Sequence, residues 1–218
     1  MLNLTKAEER ILRKLDTPIK VQDFLDAIPL NFEPGGDTHL SPRRALHENR
    51  AHCIEGALIA ATAFWMHGRK PLLMDLRATK GDFDHVIALY EENGHWGAVS
   101  KTNHATIRFR DPVYPNLKAL ALSYFHEWFL NTTGRKTLLS FSKPFDLSRL
   151  GDGWVTSEED LFWLDEKLDA LPHTLLVPPG NERFIRRADP MELAAGRLTE
   201  WEKTPRGARR TGTGRDKL

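Results

Sequence analysis

Cysteine occurs once in the chain, at Cys53, and the stretch that follows, Ile54 to Met66, is apolar and alanine-rich with Glu55 as its one charge. That composition predicts a buried helix running from Cys53 to His67, with Gly68 as its C-cap. At such a helix start, unpaired backbone N–H groups and the helix dipole favour negative charge. A free thiol titrates near ~8.5 and falls by one to several units at a helix N-terminus beside a histidine. Cys53 is therefore a candidate nucleophile, and the same amides suit an oxyanion on an attacked carbonyl. The plain alternative is a small buried hydrophobe, which describes most lone cysteines.

His85 is the candidate base. It falls in an apolar run, Phe83 to Tyr90, read as a strand on which it shares a face with Ile87 and Leu89. A histidine on such a face needs a polar partner. If Asn93-Gly94 is a two-residue hairpin loop, His85 faces Thr102; a four-residue loop puts Ser100 opposite. Either register places Ser100 and Thr102 on the His85 face, where a hydroxyl orients the ring.

Other chemistries fit the spacing less well. His47, Glu48, His52 and Cys53 cluster, but His47 and His52 are five apart, not the one helical turn that a His-Glu-x-x-His metal site requires, and His126-Glu127 meets Leu130 where a second histidine belongs. No metal is expected. Gly35-Gly36 and Gly151-Asp152-Gly153 lack the strand-loop-helix setting of phosphate loops, and a Gly-x-Ser-x-Gly elbow is absent.

The elements that must position Cys53 and His85 are legible in outline. Thr5 and Glu8 have capping-box spacing ahead of Ile11, Leu12 and Leu15; Thr17-Pro18 and Ser41-Pro42 open two further helices; 33–37 is a turn-rich loop. Strands are expected at 71–76, 83–90, 95–102 and 105–110, the last ending at Asp111-Pro112. Leu117 to Trp128 has helical periodicity, with Tyr124, Phe125 and Trp128 as core. Farther on come strands at 137–141 and 174–177, a helix from Ser157 and Asp160 to Leu171, and a last helix opened by Asp189-Pro190; Trp154, Phe162 and Trp163 read as core. The fold class expected is α+β, a Cys-bearing central helix packed on an antiparallel sheet, with additional C-terminal helices.

The order of a capped helix at Cys53, Gly68 with a strand behind it, Asp84-His85-Val86-Ile87-Ala88-Leu89-Tyr90, a Glu-Asn-Gly turn and Trp96 resembles the transglutaminase-like domain of the papain-like cysteine-proteinase fold. The lead-in from Pro18 through Ser41-Pro42 to His52-Cys53 is similar too, so the resemblance covers about residues 17–115, roughly half the chain. It implies a cysteine that attacks an acyl group through a thioester, a histidine that shuttles the proton, and an aspartate that holds the histidine. The family's aspartate follows the hairpin tryptophan by four residues, where this chain has Ser100. Asp111, before Pro112, has the right chemistry one strand later and is chosen as third member, with Ser100 and Asn103 the alternatives. Hydrolysis of an amide is favoured over transfer to an amine, because transfer requires excluding water and holding a second substrate. A catalytically inactive protein-binding module of the same kind is the competing reading.

Bulk properties bound the partners. A length of 218 residues suits one domain, expected over 1–205, and 40% hydrophobic content suits a folded core. Residues 206–218 carry five cations against Asp216, or +4; with a net charge of +1, residues 1–205 carry −3. The tail reads as disordered, and the folded part offers no surplus for nucleic acid. No signal peptide or membrane span is read, and a single cysteine excludes an internal disulfide, pointing to the cytoplasm. The chemistry needs no cofactor; the partner expected is a protein or peptide substrate.

Overall fold

The structure, a computed structural model, describes residues 2–202. The basic tail expected at 206–218 lies outside the described residues.

Helix starts follow the sequence signals. Thr5 caps α1 (Lys6–Leu12) through a reciprocal box, its Oγ1 accepting from Glu8 N at 3.3 Å while Glu8 Oε2 accepts from Thr5 N at 2.6 Å. Thr17 and Ser41 cap α2 (Pro18–Ala27) and α3 (Pro42–Glu48), each with proline in the first turn, where its missing N–H has no helical partner to lose. The central helix α4 (Cys53–Met66) is buried at every residue from Ile54 to Phe64, which is why its sequence shows no polar stripe.

Seven antiparallel strands form the sheet: β1 (Leu72–Ala78), β2 (His85–Glu92), β3 (His95–Val99), β4 (Arg110–Tyr114), β5 (Leu138–Ser142), β6 (Phe145–Asp146) and β7 (His173–Leu175). Their order is β4-β3-β2-β1-β5-β7, with β6 also pairing on β1. The β2–β3 hairpin turns at Asn93-Gly94, both with left-handed φ (50° and 77°), as a two-residue loop demands. Along β2, Val86, Ala88 and Tyr90 join the core shared with α4, whereas Ile87 and Leu89 join a second core under α5 (Leu117–Phe125), with Leu120, Tyr124 and Trp128. The molecule is therefore α+β, with helices on both faces of the sheet. The shorter helices α6 (Phe162–Asp169) and α7 (Pro190–Gly196) follow.

Five expectations are corrected. The helix expected to open at Ser157 and Asp160 starts only at Phe162, because the Asp160 carboxylate accepts from His39 N at 2.9 Å instead of capping it. Phe83 lies outside β2, 90% exposed, because the Asp84 carboxylate folds back to accept from Ala78 N at 2.7 Å and closes a loop ahead of His85. The strand expected at 95–102 ends at Val99, because Gln22 takes over the ladder at Ser100, its Oε1 accepting from Ser100 N at 3.0 Å and its Nε2 donating to Ser100 O at 2.9 Å. The fourth strand is not 105–110 but β4, which contains Pro112; an edge position tolerates a residue that cannot donate. Phe162 and Trp163 are each 41% exposed, whereas Trp154 is buried and stacks on Trp65, rings 5° from parallel.

One close approach fixes α4 against the chain beyond β3. A Cβ on Gly56 would lie 2.5 Å from Lys101 Cβ. Buried Lys101 donates Nζ to the carbonyls of Leu25 and Ile28, both at 2.6 Å, satisfying the C-terminal end of α2. Burial draws its pKa down to about 8. Because Cβ is the least mobile part of that side chain, Gly56→Ala is expected to lower stability by about 1–3 kcal/mol. Urea denaturation checks this; an unchanged midpoint would contradict the packing.

Candidate active site

Cys53 occupies the first position of α4, half-buried, and is a free thiol. Burial raises its pKa, but hydrogen bonding from His52 and His85, and the positive charge each ring carries when protonated, outweigh that and bring the thiol well below its ordinary value. The two residues singled out for chemistry thus sit at the tip of the helix and the start of β2, with His85 near enough to act on the thiol.

The His85 ring is oriented by a short relay. Its Nε2 lies 2.8 Å from Ser100 Oγ, and Ser100 donates its hydroxyl to the Ile107 carbonyl at 2.6 Å. A carbonyl brings no proton, so the hydroxyl proton points to Ile107 and the serine lone pairs face His85. Nε2 therefore carries the ring proton of the neutral imidazole, and Nδ1 keeps its lone pair. Trp128 packs edge-on against the ring, centroids 6.0 Å apart. Ile107 pays for its place in the relay with a left-handed φ of 61°, costly for a β-branched residue. Its N–H is tied to Glu127 Oε2 at 2.8 Å.

The other candidates for the third position sit elsewhere. Asp111 is exposed on β4 and does not reach His85. The reason is register: Arg110 pairs with Ala98, which pairs with Leu89, four residues or about 13 Å along β2 from His85. Burial first and then the Asp111 charge push up the Tyr90 hydroxyl, near the hairpin end of the strand. Asn103 clasps Trp201, donating Nδ2 to its carbonyl at 2.9 Å and accepting its N–H at 2.8 Å. Ser100 is the candidate the structure puts on His85.

His52 enters the sequence reading as a candidate metal ligand and as part of the lead-in to Cys53, with no catalytic role. In the structure its Nδ1 stands 3.9 Å from Cys53 Sγ. Its Nε2 lies 2.7 Å from the Thr38 carbonyl, 3.4 Å from Glu55 Oε1 and 3.6 Å from Glu33 Oε1. Glu55 has no exposed surface. It accepts from Asn31 Nδ2, Thr38 Oγ1 and Leu40 N, each at 3.0 Å, and from His52 N at 2.8 Å, which closes α4's capping box. The signal for this was present: a glutamate three residues after a helix N-cap, inside an otherwise apolar segment.

A second acidic group borders this region. His39 lies edge-on to His52, centroids 5.7 Å apart, packs on Phe162 and faces Asp165 Oδ2 at 3.6 Å. Burial raises the Asp165 carboxyl; His39 offsets part of this, while Asp169 and Cys53 add to it. Among the described residues, Asp75, Asp84 and Asp169 come close enough to share a cation. Protein groups already answer these charges: His173 Nε2 lies 2.8 Å from Asp75, and Arg77 contacts Asp84 and Asp169. No helix among the described residues is long and apolar enough to cross a membrane.

In comparisons with known proteins, no family model matches the chain and no curated protein matches it.

Ser100→Ala removes the acceptor for His85 Nε2–H and leaves the Ile107 carbonyl without its donor. A loss of about 1–3 kcal/mol is expected in urea denaturation, the cost of orphaning buried polar groups. An unchanged stability would contradict the relay.

Proposed function

We propose that this chain is a transglutaminase-like cysteine enzyme that acts on amide bonds of a protein or peptide through a thioester, with hydrolysis as the outcome. One arrangement carries the reading: a half-buried thiol at a helix N-terminus, with His52 Nδ1 3.9 Å from its sulfur and His85, held by Ser100, at the adjacent strand start, two imidazoles that lower its pKa. The thiolate adds to the carbonyl carbon, and first-turn N–H groups of α4 suit the oxyanion that forms. The C–N bond then breaks, and the proton lost by the thiol returns to the leaving nitrogen. Water resolves the thioester, and His85 Nδ1, left free by the Ser100 relay, removes the proton of that water. A lone thiol of this kind suits the reducing cytoplasm.

A transglutaminase-like binding module without turnover is the second reading, and Ser100 favours it: a hydroxyl fixes the His85 tautomer but brings no negative charge to stabilise an imidazolium. Screening a peptide-amide library separates the two. The enzyme reading expects product from wild type, an acyl-protein adduct at Cys53 by intact-mass spectrometry, and a fall on the order of 10⁴-fold or more for Cys53→Ala. Full turnover by Cys53→Ala would overturn it.

A further inference from the structure

We propose that His52, the residue immediately before the nucleophile, stores the Cys53 proton in the resting protein, so that a Cys53 thiolate–His52 imidazolium pair precedes any substrate and His85 is free to move protons during turnover. This deepens the proposed reading and rests on it.

The argument is one of proton inventory. His52 Nε2 sits 2.7 Å from the Thr38 carbonyl oxygen, which only accepts, so Nε2 carries a hydrogen. The titrating nitrogen is then Nδ1, which stands 3.9 Å from Cys53 Sγ and also faces the Glu55 N–H of α4's capping box. A single proton lies between them. Either it is bonded to sulfur and the ring is neutral, or the S–H bond breaks, its electron pair stays on sulfur, and the proton bonds to the Nδ1 lone pair. The surroundings decide in favour of the second arrangement. Glu55 on α4 and Glu33 on the preceding loop approach His52 Nε2 at 3.4 and 3.6 Å, and both favour a positive ring. His39 presents a ring edge from the same loop, with Asp165 of α6 behind it, and His85 reaches the thiol from β2. No cation of Lys or Arg appears among these groups.

The division of labour also accounts for Ser100. A site that relied on His85 for its resting charge pair would lose by exchanging a carboxylate for a hydroxyl; a site whose charge pair is supplied by His52 and the buried Glu55 does not. The pKa directions agree. Burial lowers His52, but contact with Cys53, the charges of Cys53 and Glu55, and the Thr38 carbonyl raise it to about 10. The imidazolium is thus retained as pH rises until about 10, and the thiolate is retained as pH falls to the depressed Cys53 value. Between those limits the pair stands.

The test is the pH dependence of alkylation by iodoacetamide, an uncharged probe that reads the thiolate of the chain's single cysteine without a substrate. The variants are His52→Asn and His85→Gln. Asparagine is a favoured N-cap residue, so His52→Asn retains the start of α4. Wild type is expected to react at a nearly constant rate down to about pH 6. His52→Asn should move the midpoint up toward ~8.5 and slow the reaction near pH 6 by roughly ten- to a hundredfold, while His85→Gln, which leaves the His52 proton store in place, should raise the midpoint by clearly less. Glu33→Gln, which removes one negative charge near the ring and keeps an amide oxygen able to accept from Thr38 N, should slow the reaction by about two- to threefold in the same direction. A midpoint that rises in His85→Gln and not in His52→Asn, or equally in both, overturns the role of His52 and leaves the Cys53–His85 reading standing. So does an unmoved midpoint in Glu33→Gln should His52→Asn fail to fold. An ordinary midpoint in wild type overturns both.

Discussion

The structure turns on the stabilisation of one negative charge at the tip of a helix with almost no polar surface. α4 is buried along most of its length, so its first turn is where a charge meets unpaired N–H groups, partial exposure and nearby imidazoles at once. Glu55, two residues on, makes this possible. An unpaired buried carboxylate is prohibitively expensive, and this one is surrounded by donors from Asn31, Thr38, Leu40 and His52, which draw the loop before α3 over the helix start. The same network that closes the N-cap places His52 beside the thiol.

The sheet supplies the other half. β2 is buried on both faces, which leaves its first residue as the place where an imidazole and a helix tip can meet without a polar stripe through the core. Ser100 completes the arrangement only because β3 stops at Val99. Released from the ladder by Gln22, Ser100 is free to accept from His85 and donate to Ile107. The left-handed backbone at Ile107 is the local cost of that relay, offset by Glu127 and by the serine itself.

Much of this was legible from residue types. Thr5, Thr17 and Ser41 mark their helices because capping and proline chemistry are local, the apolar run after Cys53 marks α4, and Asn93-Gly94 marks the hairpin because few residues accept left-handed φ. The α+β class follows from that order. What resisted reading is non-local. Nothing near Val99 announces that Gln22, far back in the chain, will end the strand, and nothing at Pro112 distinguishes a strand stop from an edge strand. The position of Asp111 depends on a register running through β3 and β2, so a carboxylate with suitable chemistry landed beside a backbone position more than four residues along β2 from His85. His52 was masked by adjacency, since neighbouring residues usually point apart, and only the capping geometry at a helix start turns both toward one space.

Cys53 lends itself to a direct optical measurement, because a thiolate absorbs in the far ultraviolet where a thiol does not, and the chain has one cysteine to titrate. Following that absorbance against pH in the intact protein and subtracting the same titration of Cys53→Ala, which removes the contribution of the three tyrosines, the account predicts one inflection well below the ~8.5 of a free cysteine. An inflection at or above that value would mean that the helix tip and its two imidazoles do not stabilise the charge, and the account would be wrong at its centre.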